Sequence, residues 1–396
     1  MSNLLNLVSF GALALAPIAA GAPSDYPTKQ CVQLEVTVPV VATNHHFGQP
    51  PIDSNITAIN WTVNTTTWNY KLPSNPPIVP IDRTFKVHAQ LCVPSTKNAK
   101  SNILQIATQG RGFDKRYFDI RVQPETYSYL DAAIKRGYPV LTYDRIGLGE
   151  SEKPDPYDVV QLPAEVEILA GLTKLAKAGK LISSSKVLSN SSPAVKDFVP
   201  SKIVQVGHSY GSFIIAPMIV KYGSLADGAL LTGFFPNPRL GTVDVSHYDH
   251  AYVHDIDPVR WAAYGPGYFI LANTLVLQKL FLHKPGFEPA LLTYMSEILQ
   301  PEAVGEYPSG DSLPLPDLHA TEFTGPVQIS AGAFDFANCK GDCRGQYNAT
   351  FVENLFPKAS NITGYLQPDA GHAMHFSTTA PIGYKAQLDY LNDHGL

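Results

Sequence analysis

The chain has 396 residues, of which 44% are hydrophobic and 16% charged, and its formal net charge is −5 at neutral pH. This length and apolar content allow a large core, organised as one α/β domain that carries an insertion. No block of lysines and arginines accompanies the negative net charge, which argues against nucleic acid as a partner.

The first 20 residues are predicted to form a secretory signal peptide. An apolar segment over residues 4–16 is too short to cross a bilayer, and small residues follow at positions 19–22, where cleavage fits. No lysine or arginine precedes this segment, so an uncleaved apolar tail is the alternative. We therefore expect a secreted, extracellular protein with no membrane-spanning segment after the signal is removed.

Potential N-glycosylation sites and paired cysteines agree with export. The Asn-x-Ser/Thr acceptors are Asn55, Asn60, Asn64, Asn190, Asn348 and Asn361. A proline just after its triplet compromises Asn190. Cys31 begins one strand-like run and Cys92 ends another, so a disulfide between them would join two antiparallel strands, whereas Cys339 and Cys343 would close a tight loop. A thiol or metal role is less favoured, since no histidine has zinc-ligand spacing from either pair.

An N-terminal β-rich extension precedes an α/β core. The extension covers residues 21–100 and contains a Pro/Asn/Thr-rich excursion at about 42–82. The elements that follow are a strand at 102–108, a helix at 127–136 ended by Gly137, a strand at 138–143, a helix at 162–178, a Ser/Pro-rich loop at 182–200 and a strand at 202–206. This alternation predicts an α/β fold with a mostly parallel, doubly wound sheet covered on both faces.

The five residues Gly207-His208-Ser209-Tyr210-Gly211 lie between the last of these strands and an apolar segment long enough for a helix. A sharp turn from strand to helix forces the central serine into strained dihedrals with its Oγ exposed. A Cβ at Gly207 or Gly211 would collide with the neighbouring backbone, so these glycines leave room for the turn. The pattern predicts a nucleophile elbow centred on Ser209.

A long insertion interrupts the core after the elbow. Nearly a hundred residues separate the strand at 228–231 from the next convincing strand at 327–330, and they are rich in aromatic side chains. A structureless loop of that length is improbable. We expect a helical cap or lid at 233–324, inserted between core segments 101–232 and 325–396. Most of its aromatic residues should form the core of the cap, with a few lining a pocket.

Two later loops supply partners for the serine. A serine hydroxyl needs a base to remove its proton, and the base needs a third group to hold its tautomer. Asp335 follows the strand at 327–330, and His372 follows a strand at 361–366. Ser209, Asp335 and His372 thus lie on successive strand-end loops, in the order expected for a catalytic triad on a doubly wound sheet.

Other interpretations of these residues remain open. Asp335 taken alone is typical of a turn or a helix cap. His375 competes with His372 for the role of base, although the glycine before His372 favours it by allowing a tight turn. Asp369 and Glu322 are alternatives for the acid, and Asp369 is too near the histidine in sequence to orient it easily.

With these motifs, residues 85–395 resemble the α/β-hydrolase family. The segment 143–151 looks like the family's D-x-R-G-x-G-x-S loop, with Ile146 in place of the first glycine. The segment 109–114 occupies the position of the family's His-Gly turn, with Gln109 in place of the histidine. The resemblance implies the α/β-hydrolase fold with a helical cap. It also implies an oxyanion hole formed by the backbone N–H groups of Arg111 and Tyr210.

The favoured function is that of a secreted serine esterase or lipase-like hydrolase. It would act through an acyl-enzyme on a neutral or apolar small-molecule or lipid-like carboxylic ester, with no cofactor and no metal. The aspartate nucleophile of related epoxide hydrolases and dehalogenases is absent, because Ser209 stands in its place. One alternative is a peptidase of the prolyl-aminopeptidase type, for which carboxylates in the cap would bind the substrate amine. The candidate carboxylates are Asp244, Asp249, Asp255 and Asp257.

Two further alternatives keep the same fold. The triad could serve lactone opening or non-hydrolytic acyl transfer in secondary metabolism. A non-catalytic binding protein is also conceivable, but it would have no need of a complete serine, acid and histidine set.

Overall fold

The structure is a computed structural model that describes residues 28–189, 193–196, 198–236 and 245–396. The predicted signal peptide and the predicted acceptor Asn190 lie outside these residues. Within the described ranges, no helix combines the length and the apolar composition needed to cross a membrane.

The described strands form two sheets. In chain order the strands are β1 (Lys29–His45), β2 (Ile78–Pro94), β3 (Ile103–Thr108), β4 (Val140–Tyr143), β5 (Ser185–Val187), β6 (Lys202–His208), β7 (Gly228–Thr232), β8 (His250–Tyr252), β9 (Tyr268–Leu271), β10 (Glu302–Ala303), β11 (Val327–Gly332) and β12 (Ile362–Gln367). The large sheet has the order β12-β11-β7-β6-β3-β4-β2-β1-β5, and the small sheet has the order β10-β9-β8.

The large sheet confirms the predicted α/β class. Its strands from β12 to β4 are mutually parallel, whereas β2, β1 and β5 are added antiparallel at one edge. Every residue of β3, β7 and β11 is buried, as expected for strands covered on both faces. The chain proceeds from β3 to β4 on one side and then from β6 to β7 on the other. The sheet therefore has a topological switch point between β3 and β6, where open α/β sheets bind ligands.

The helices that cover the sheet agree closely with the alternating pattern of the sequence. In chain order, all the described α-helices are α1 (Asn55–Thr65), α2 (Pro124–Tyr127), α3 (Tyr129–Arg136), α4 (Leu162–Lys177), α5 (Pro193–Lys196), α6 (Tyr210–Lys221), α7 (Val253–Ile256), α8 (Thr274–Phe281), α9 (Pro289–Ile298), α10 (Glu306–Asp311), α11 (Phe336–Cys339), α12 (Ala349–Leu355) and α13 (Ala380–Asp393). Helix α4 packs against β1 and α6, while α13 packs against α3 and β12.

One predicted helix is divided in two. The continuous helix expected at 127–136 is split into α2 and α3 at Ser128, whose backbone is extended and whose Oγ accepts a hydrogen bond from the N–H of Asp131 at 3.1 Å. Ser128 thus caps α3. The helix ends at Gly137, as predicted, and this glycine has a φ of 97°.

The predicted N-terminal extension continues the core sheet. Strands β1 and β2 pair antiparallel over 17 residues each, and β2 pairs with β4. Cys31 lies opposite Cys92 in this ladder, and a disulfide joins them. The expectation that these cysteines tie two antiparallel strands is therefore confirmed.

The insertion between β7 and β11 is a mixture of helices and strands. It contains α7, α8, α9 and α10, together with the small antiparallel sheet of β8, β9 and β10. The predicted helices are present, and the three strands are a feature that the aromatic-rich sequence did not reveal.

The segment between β1 and β2, residues 46–77, is here called the excursion, and it packs against this insertion. Its helix α1 contacts β8. The buried ring of Trp61 lies 5.9 Å from that of His250, 5.1 Å from that of Phe269 and 5.4 Å from that of Tyr307, measured between centroids. The excursion and the insertion thus share one aromatic cluster.

Candidate active site

Ser209 lies in a strained turn between β6 and α6. Its φ of 52° and ψ of −122° are unfavourable for any residue other than glycine. A Cβ on Gly207 would lie 2.7 Å from the Cα of Ser212, and one on Gly211 would lie 2.0 Å from the carbonyl oxygen of Thr108. Both flanking positions therefore require glycine, for the steric reason given by the sequence pattern.

Ser209, His372 and Asp335 form a continuous hydrogen-bonded chain. His372 Nε2 is 2.8 Å from Ser209 Oγ, and its Nδ1 is 2.8 Å from Asp335 Oδ2. The residues come from the loops after β6, β12 and β11. Since a carboxylate accepts from Nδ1–H, Nε2 is left unprotonated to accept from the serine hydroxyl. The histidine and the acid are both buried.

Asn338 is a fourth member of this arrangement, and the sequence analysis missed it. Its Nδ2 donates to Asp335 Oδ2 at 2.7 Å and to the carbonyl oxygen of Gly233 at 2.8 Å. These bonds use both amide hydrogens, so the 3.3 Å approach of Nδ2 to His372 Nδ1 is a contact between two donors. Asn338 therefore fixes the carboxylate of Asp335 and leaves one lone pair of Oδ2 to accept a hydrogen bond from His372.

The position of Asp335 is compatible with both interpretations that the sequence left open. Its Oδ1 accepts from the N–H of Asn338 at 2.8 Å and caps α11, while Oδ2 faces His372. A disulfide between Cys339 and Cys343 closes the loop directly after α11, as the sequence predicts. The loop is thus anchored on both sides of the carboxylate.

The rival residues lie in other surroundings. His375 is packed among aromatic rings, and burial lowers its pKa to about 3. Its Nδ1 is 3.5 Å from the carbonyl oxygen of Tyr117. Asp369 and Glu322 are exposed. The structure brings none of these three residues to Ser209.

A second histidine beside the serine is held neutral. The buried ring of His208 stacks on Tyr117, with centroids 4.4 Å apart, and lies 5.1 Å from the ring of His372. Burial lowers the pKa of His208 well below its usual value. His208 therefore places no competing cation next to His372.

The loop after β3 packs directly on the serine. A Cβ on Gly110 would lie 2.9 Å from the Cβ of Ser209 and 3.4 Å from its Oγ. The peptide that follows carries the N–H of Arg111, and the N–H of Tyr210 belongs to the first turn of α6, which lacks intrahelical acceptors. Neither N–H donates to another described residue. The two donors implied by the family resemblance are thus unoccupied beside Ser209.

A buried arginine orients this loop. Arg145 Nη2 donates to the carbonyl oxygen of Gly110 at 3.2 Å. In a trans peptide the C=O and the following N–H point in opposite directions, so this bond directs the Arg111 N–H away from Arg145. Arg145 Nη1 also bonds to the carboxylates of Glu165 and Glu306. Burial raises the pKa of Glu165 to about 7 despite the charge of Arg145, since one guanidinium serves two carboxylates.

Gln109 replaces the histidine expected from the resemblance. Its side chain is completely buried, and neither Oε1 nor Nε2 has a hydrogen-bond partner in the described structure. Its amide therefore does not hold the loop, and the contact from Arg145 to Gly110 does so instead.

A cavity of about 270 Å³ opens onto Ser209 and His372. We call Ser209, His372, Asp335 and Asn338 the reaction set. A second group of lining residues comes from the excursion and the insertion, and we call it the recognition set: Gln49, Trp61, Tyr70, Tyr248, Glu302 and Tyr307. Arg111 also lines the cavity, and its guanidinium carbon lies 4.3 Å from the ring centroid of Tyr210 and 4.1 Å from that of Tyr307.

The acids considered for amine binding are engaged elsewhere. Asp249 forms an ion pair with Lys279 at 3.2 Å, Asp255 accepts from the N–H of Asn55 at 2.7 Å, and Asp257 caps the turn at Arg260. None of these three lines the cavity, and Asp244 lies outside the described residues.

The predicted glycosylation acceptors differ in accessibility. On α1, Asn60 and Asn64 are exposed, and the exposed Asn55 accepts from the N–H of Tyr252 at 2.9 Å. The two later acceptors are half-buried. Asn348 caps α12, and Asn361 accepts hydrogen bonds from neighbouring hydroxyl groups.

The chain is similar to known hydrolases in sequence pattern and in fold. The alpha/beta hydrolase family model matches residues 110–381. No functionally curated protein matches the chain. A thermophilic esterase from Thermogutta terrifontis is 16% identical, with a TM-score of 0.50, over 78% of this chain and 95% of that chain. At this identity the likeness shows the fold alone.

Two further solved structures have lower TM-scores. A bromoperoxidase from Bacillus anthracis is 16% identical, with a TM-score of 0.49, over 78% of this chain and 96% of that one. An enol-lactonase from Burkholderia xenovorans LB400 is 16% identical, with a TM-score of 0.47, over 78% of this chain and 97% of that one.

Proposed function

Since the chain belongs to the alpha/beta hydrolase family, we propose that it is a serine hydrolase that cleaves a small carboxylic ester through an acyl-enzyme. The observation that carries this proposal is the hydrogen-bonded chain from Ser209 through His372 to Asp335, which begins at a serine held with a φ of 52°. A strained serine in direct contact with a buried histidine–carboxylate pair has the geometry of an activated nucleophile.

The geometry supports a two-step acyl transfer. Ser209 Oγ attacks the ester carbonyl while His372 Nε2 takes its proton, and Asp335 stabilises the resulting imidazolium. The N–H groups of Arg111 and Tyr210 would bind the oxyanion of the tetrahedral intermediate. The proton on His372 then passes to the leaving alcohol, and water deprotonated by the same nitrogen releases the acid and regenerates the serine.

The cavity supports a short substrate. Its volume of about 270 Å³ is at the lower limit for small-molecule sites. A cavity of this volume encloses a small ester more completely than a long lipid chain, so we favour a small ester over a lipid. The sequence favours a neutral or apolar substrate, but charged groups of Arg111 and Glu302 also line the cavity.

The acids that the sequence suggested for amine binding give no support to amide hydrolysis of the aminopeptidase type. The three described acids proposed for amine binding are engaged outside the cavity. Lactone opening and non-hydrolytic acyl transfer use the same reaction set, and they differ from ester hydrolysis in the acceptor of the acyl group.

We also propose that the protein is exported and glycosylated. The apolar N-terminal segment, the disulfides Cys31–Cys92 and Cys339–Cys343 and the exposed acceptors Asn60 and Asn64 support this proposal.

The experiment measures hydrolysis of p-nitrophenyl acetate and butyrate, and of an aminoacyl p-nitroanilide, by the wild-type protein and by Ser209→Ala. Ser212→Ala is a matched control, because Ser212 is a neighbouring serine whose Oγ donates to the carbonyl oxygen of Thr232. We expect ester hydrolysis that falls by at least about 10³-fold in Ser209→Ala, with a much smaller change in Ser212→Ala.

Labelling with a fluorophosphonate should require Ser209. Equal ester rates for the wild type and Ser209→Ala would refute the proposal. Hydrolysis of the anilide alone would favour the peptidase, and labelling without turnover in water would favour acyl transfer to another acceptor.

A further inference from the structure

Glu302 lines the same cavity as Ser209, and the proposed hydrolysis does not use it. Its side chain is 1% exposed. Burial by itself would raise the pKa of this carboxyl, but hydrogen bonding and charge from His250, together with Tyr307 and Arg111, outweigh burial and hold the pKa below its usual value. Glu302 is therefore a buried carboxylate that is ionised at neutral pH.

Only one oxygen of this carboxylate is satisfied by the protein. Oε2 accepts from the hydroxyl of Tyr307, whose oxygen lies 3.0 Å from His250 Nε2. Because Tyr307 gives its proton to Glu302, its oxygen accepts from the Nε2–H of His250. Oε1 has no hydrogen-bond partner among the described residues. Buried carboxylate oxygens are normally paired, so this one has the capacity to accept a further donor.

The nearby cation is held in another direction. Arg111 Nη2 donates to the carbonyl oxygen of Glu306 at 2.7 Å, and its guanidinium stacks on the rings of Tyr210 and Tyr307. In the described structure Arg111 forms its ion pair with Glu306, at 3.7 Å, and none with Glu302. The charge of Arg111 lowers the pKa of Glu302, but the arginine makes no hydrogen bond or ion pair with the free oxygen.

Aromatic side chains line the same cavity as Glu302. Trp61 and Tyr248 line the cavity with Tyr307, and their rings lie 5.4 Å and 6.1 Å from its ring. A ligand that fills the cavity therefore meets aromatic faces together with the carboxylates of Glu302 and Asp311 and the guanidinium of Arg111, and of the two carboxylates only that of Glu302 is buried. The matching chemistry is a short or aromatic carbon skeleton that carries a polar hydrogen.

We propose that Glu302 is a substrate-binding residue that accepts a hydrogen bond from a hydroxyl or ammonium group of the substrate. The inference rests on the proposed ester hydrolysis at Ser209 and adds the substrate class, a small ester with a hydrogen-bond donor. Hydroxyl and ammonium groups supply the same donor chemistry, and the experiment distinguishes them.

The experiment compares three p-nitrophenyl esters of matched shape: phenylacetate, 4-hydroxyphenylacetate and 4-(aminomethyl)phenylacetate. For the wild type we expect kcat/KM to be at least about tenfold higher for one donor-bearing ester than for phenylacetate, the factor that one hydrogen bond to a charged group confers. A preference for the hydroxyl ester or for the ammonium ester identifies the donor.

Glu302→Gln tests the residue directly. The amide keeps the shape, and its oxygen can still accept from Tyr307, but its NH₂ then faces the ligand donor. We expect the preference ratio to fall to about one. Asp311→Asn is the matched control, because Asp311 is an acid on the same cavity that is exposed. Retention of the ratio in Asp311→Asn and its loss in Glu302→Gln would support the inference.

A binding measurement tests the inference without requiring catalysis. In the Ser209→Ala background, isothermal titration should show that 4-hydroxyphenylacetamide or 4-(aminomethyl)phenylacetamide binds about tenfold tighter than phenylacetamide, and that Glu302→Gln removes the difference. Equal affinities for the three amides, or a difference unaffected by Glu302→Gln, would overturn the role of Glu302. If the wild type neither hydrolyses any ester nor reacts with a fluorophosphonate, the proposed function fails, while the titration still decides the role of Glu302.

Discussion

The reaction set and the recognition set meet at one cavity, but they differ in how fully their polar atoms are paired. The reaction set forms a continuous hydrogen-bonded chain, supported by the cap of α11 and the Cys339–Cys343 loop. The recognition set leaves Oε1 of Glu302 without a partner. The groups proposed to react are therefore positioned before a ligand arrives, whereas the groups proposed to bind it keep one acceptor free for a hydrogen bond. Changes to the first set should appear in kcat, and changes to the second in KM.

The largest effect is expected for Asp335→Asn. Asparagine caps helices as well as aspartate does, so α11 should persist. The carboxylate that selects the His372 tautomer is lost, and kcat should fall by about 10³–10⁴-fold. Ester hydrolysis and thermal unfolding check this prediction. Asp369→Asn, an exposed acid near the same histidine, is the control. A loss below tenfold with an unchanged fold would show that Asp335 serves only as a cap.

A smaller loss of kcat is expected for Arg145→Lys, because Arg145 bonds to the loop that packs on Ser209. Lysine keeps the positive charge but lacks the planar fork that bonds to Gly110, Glu165 and Glu306 at once. If Arg145 orients the Arg111 N–H, kcat should fall by about 10²-fold. Affinity for a boronic acid that forms a tetrahedral adduct should fall in parallel, with KM nearly constant.

The control for this loss is Arg116→Lys, since Arg116 pairs with Asp114 and is partly exposed. A change in KM alone in Arg145→Lys would assign Arg145 to substrate binding.

The next prediction is a pH dependence of stability that arises from Glu165, one of the two carboxylates bonded to Arg145. The folded-state pKa of Glu165, about 7, lies above the usual glutamate value of 4.5. The folded state binds the proton of Glu165 more tightly than the unfolded state does. This contribution to the free energy of unfolding is fully present below about pH 4.5 and is lost as pH rises through about 7. Relative to Glu165→Gln, the wild type should lose up to about 3 kcal/mol of unfolding free energy between pH 4.5 and 8. Urea unfolding of both proteins at several pH values measures this difference, and a constant difference would contradict it.

The smallest effect is expected for Ser54→Ala, which acts on the recognition set through α1. Ser54 Oγ accepts from the N–H of Thr57, and the Thr57 side chain accepts from the N–H of Ser54 in return. Loss of this cap should cost about 1 kcal/mol and loosen the helix that carries Trp61. We expect a few-fold higher KM with unchanged kcat. A change in kcat without one in KM would mean that the two sets are not separable.

Local sequence signals were sufficient for most of the reaction set. Gly207 and Gly211 mark the turn around Ser209 because a Cβ at either position meets backbone, and this requirement is set within a few residues. The loops of Asp335 and His372 could be predicted because each directly follows a strand, the buried β11 for Asp335 and the mostly half-buried edge strand β12 for His372. Asn338 was missed, although its position three residues after a capping aspartate was an available signal.

The recognition set could not be predicted, because contacts between distant segments create it. Helix α1 buries Ala58, Trp61 and Thr62, while the apolar Ile56 and Val63 are exposed, so its apolar residues do not mark its packed face. Likewise, nothing near Glu302 in sequence indicates that it lines the cavity of Ser209. These roles depend on tertiary packing that has no local signature.

The contact between α1 and β8 can form only late in translation, because it joins segments that are far apart in the sequence. Trp61 emerges from the ribosome roughly 200 residues before the rings of His250 and Phe269 that will cover it, since domains are synthesised from the N-terminus. The predicted glycosylation acceptors Asn60 and Asn64 are therefore synthesised while α1 still lacks the surface on which it docks. A nascent chain completes its reaction and recognition sets only after the insertion and the strands beyond it have been translated, so specificity is among the last properties that the polypeptide acquires.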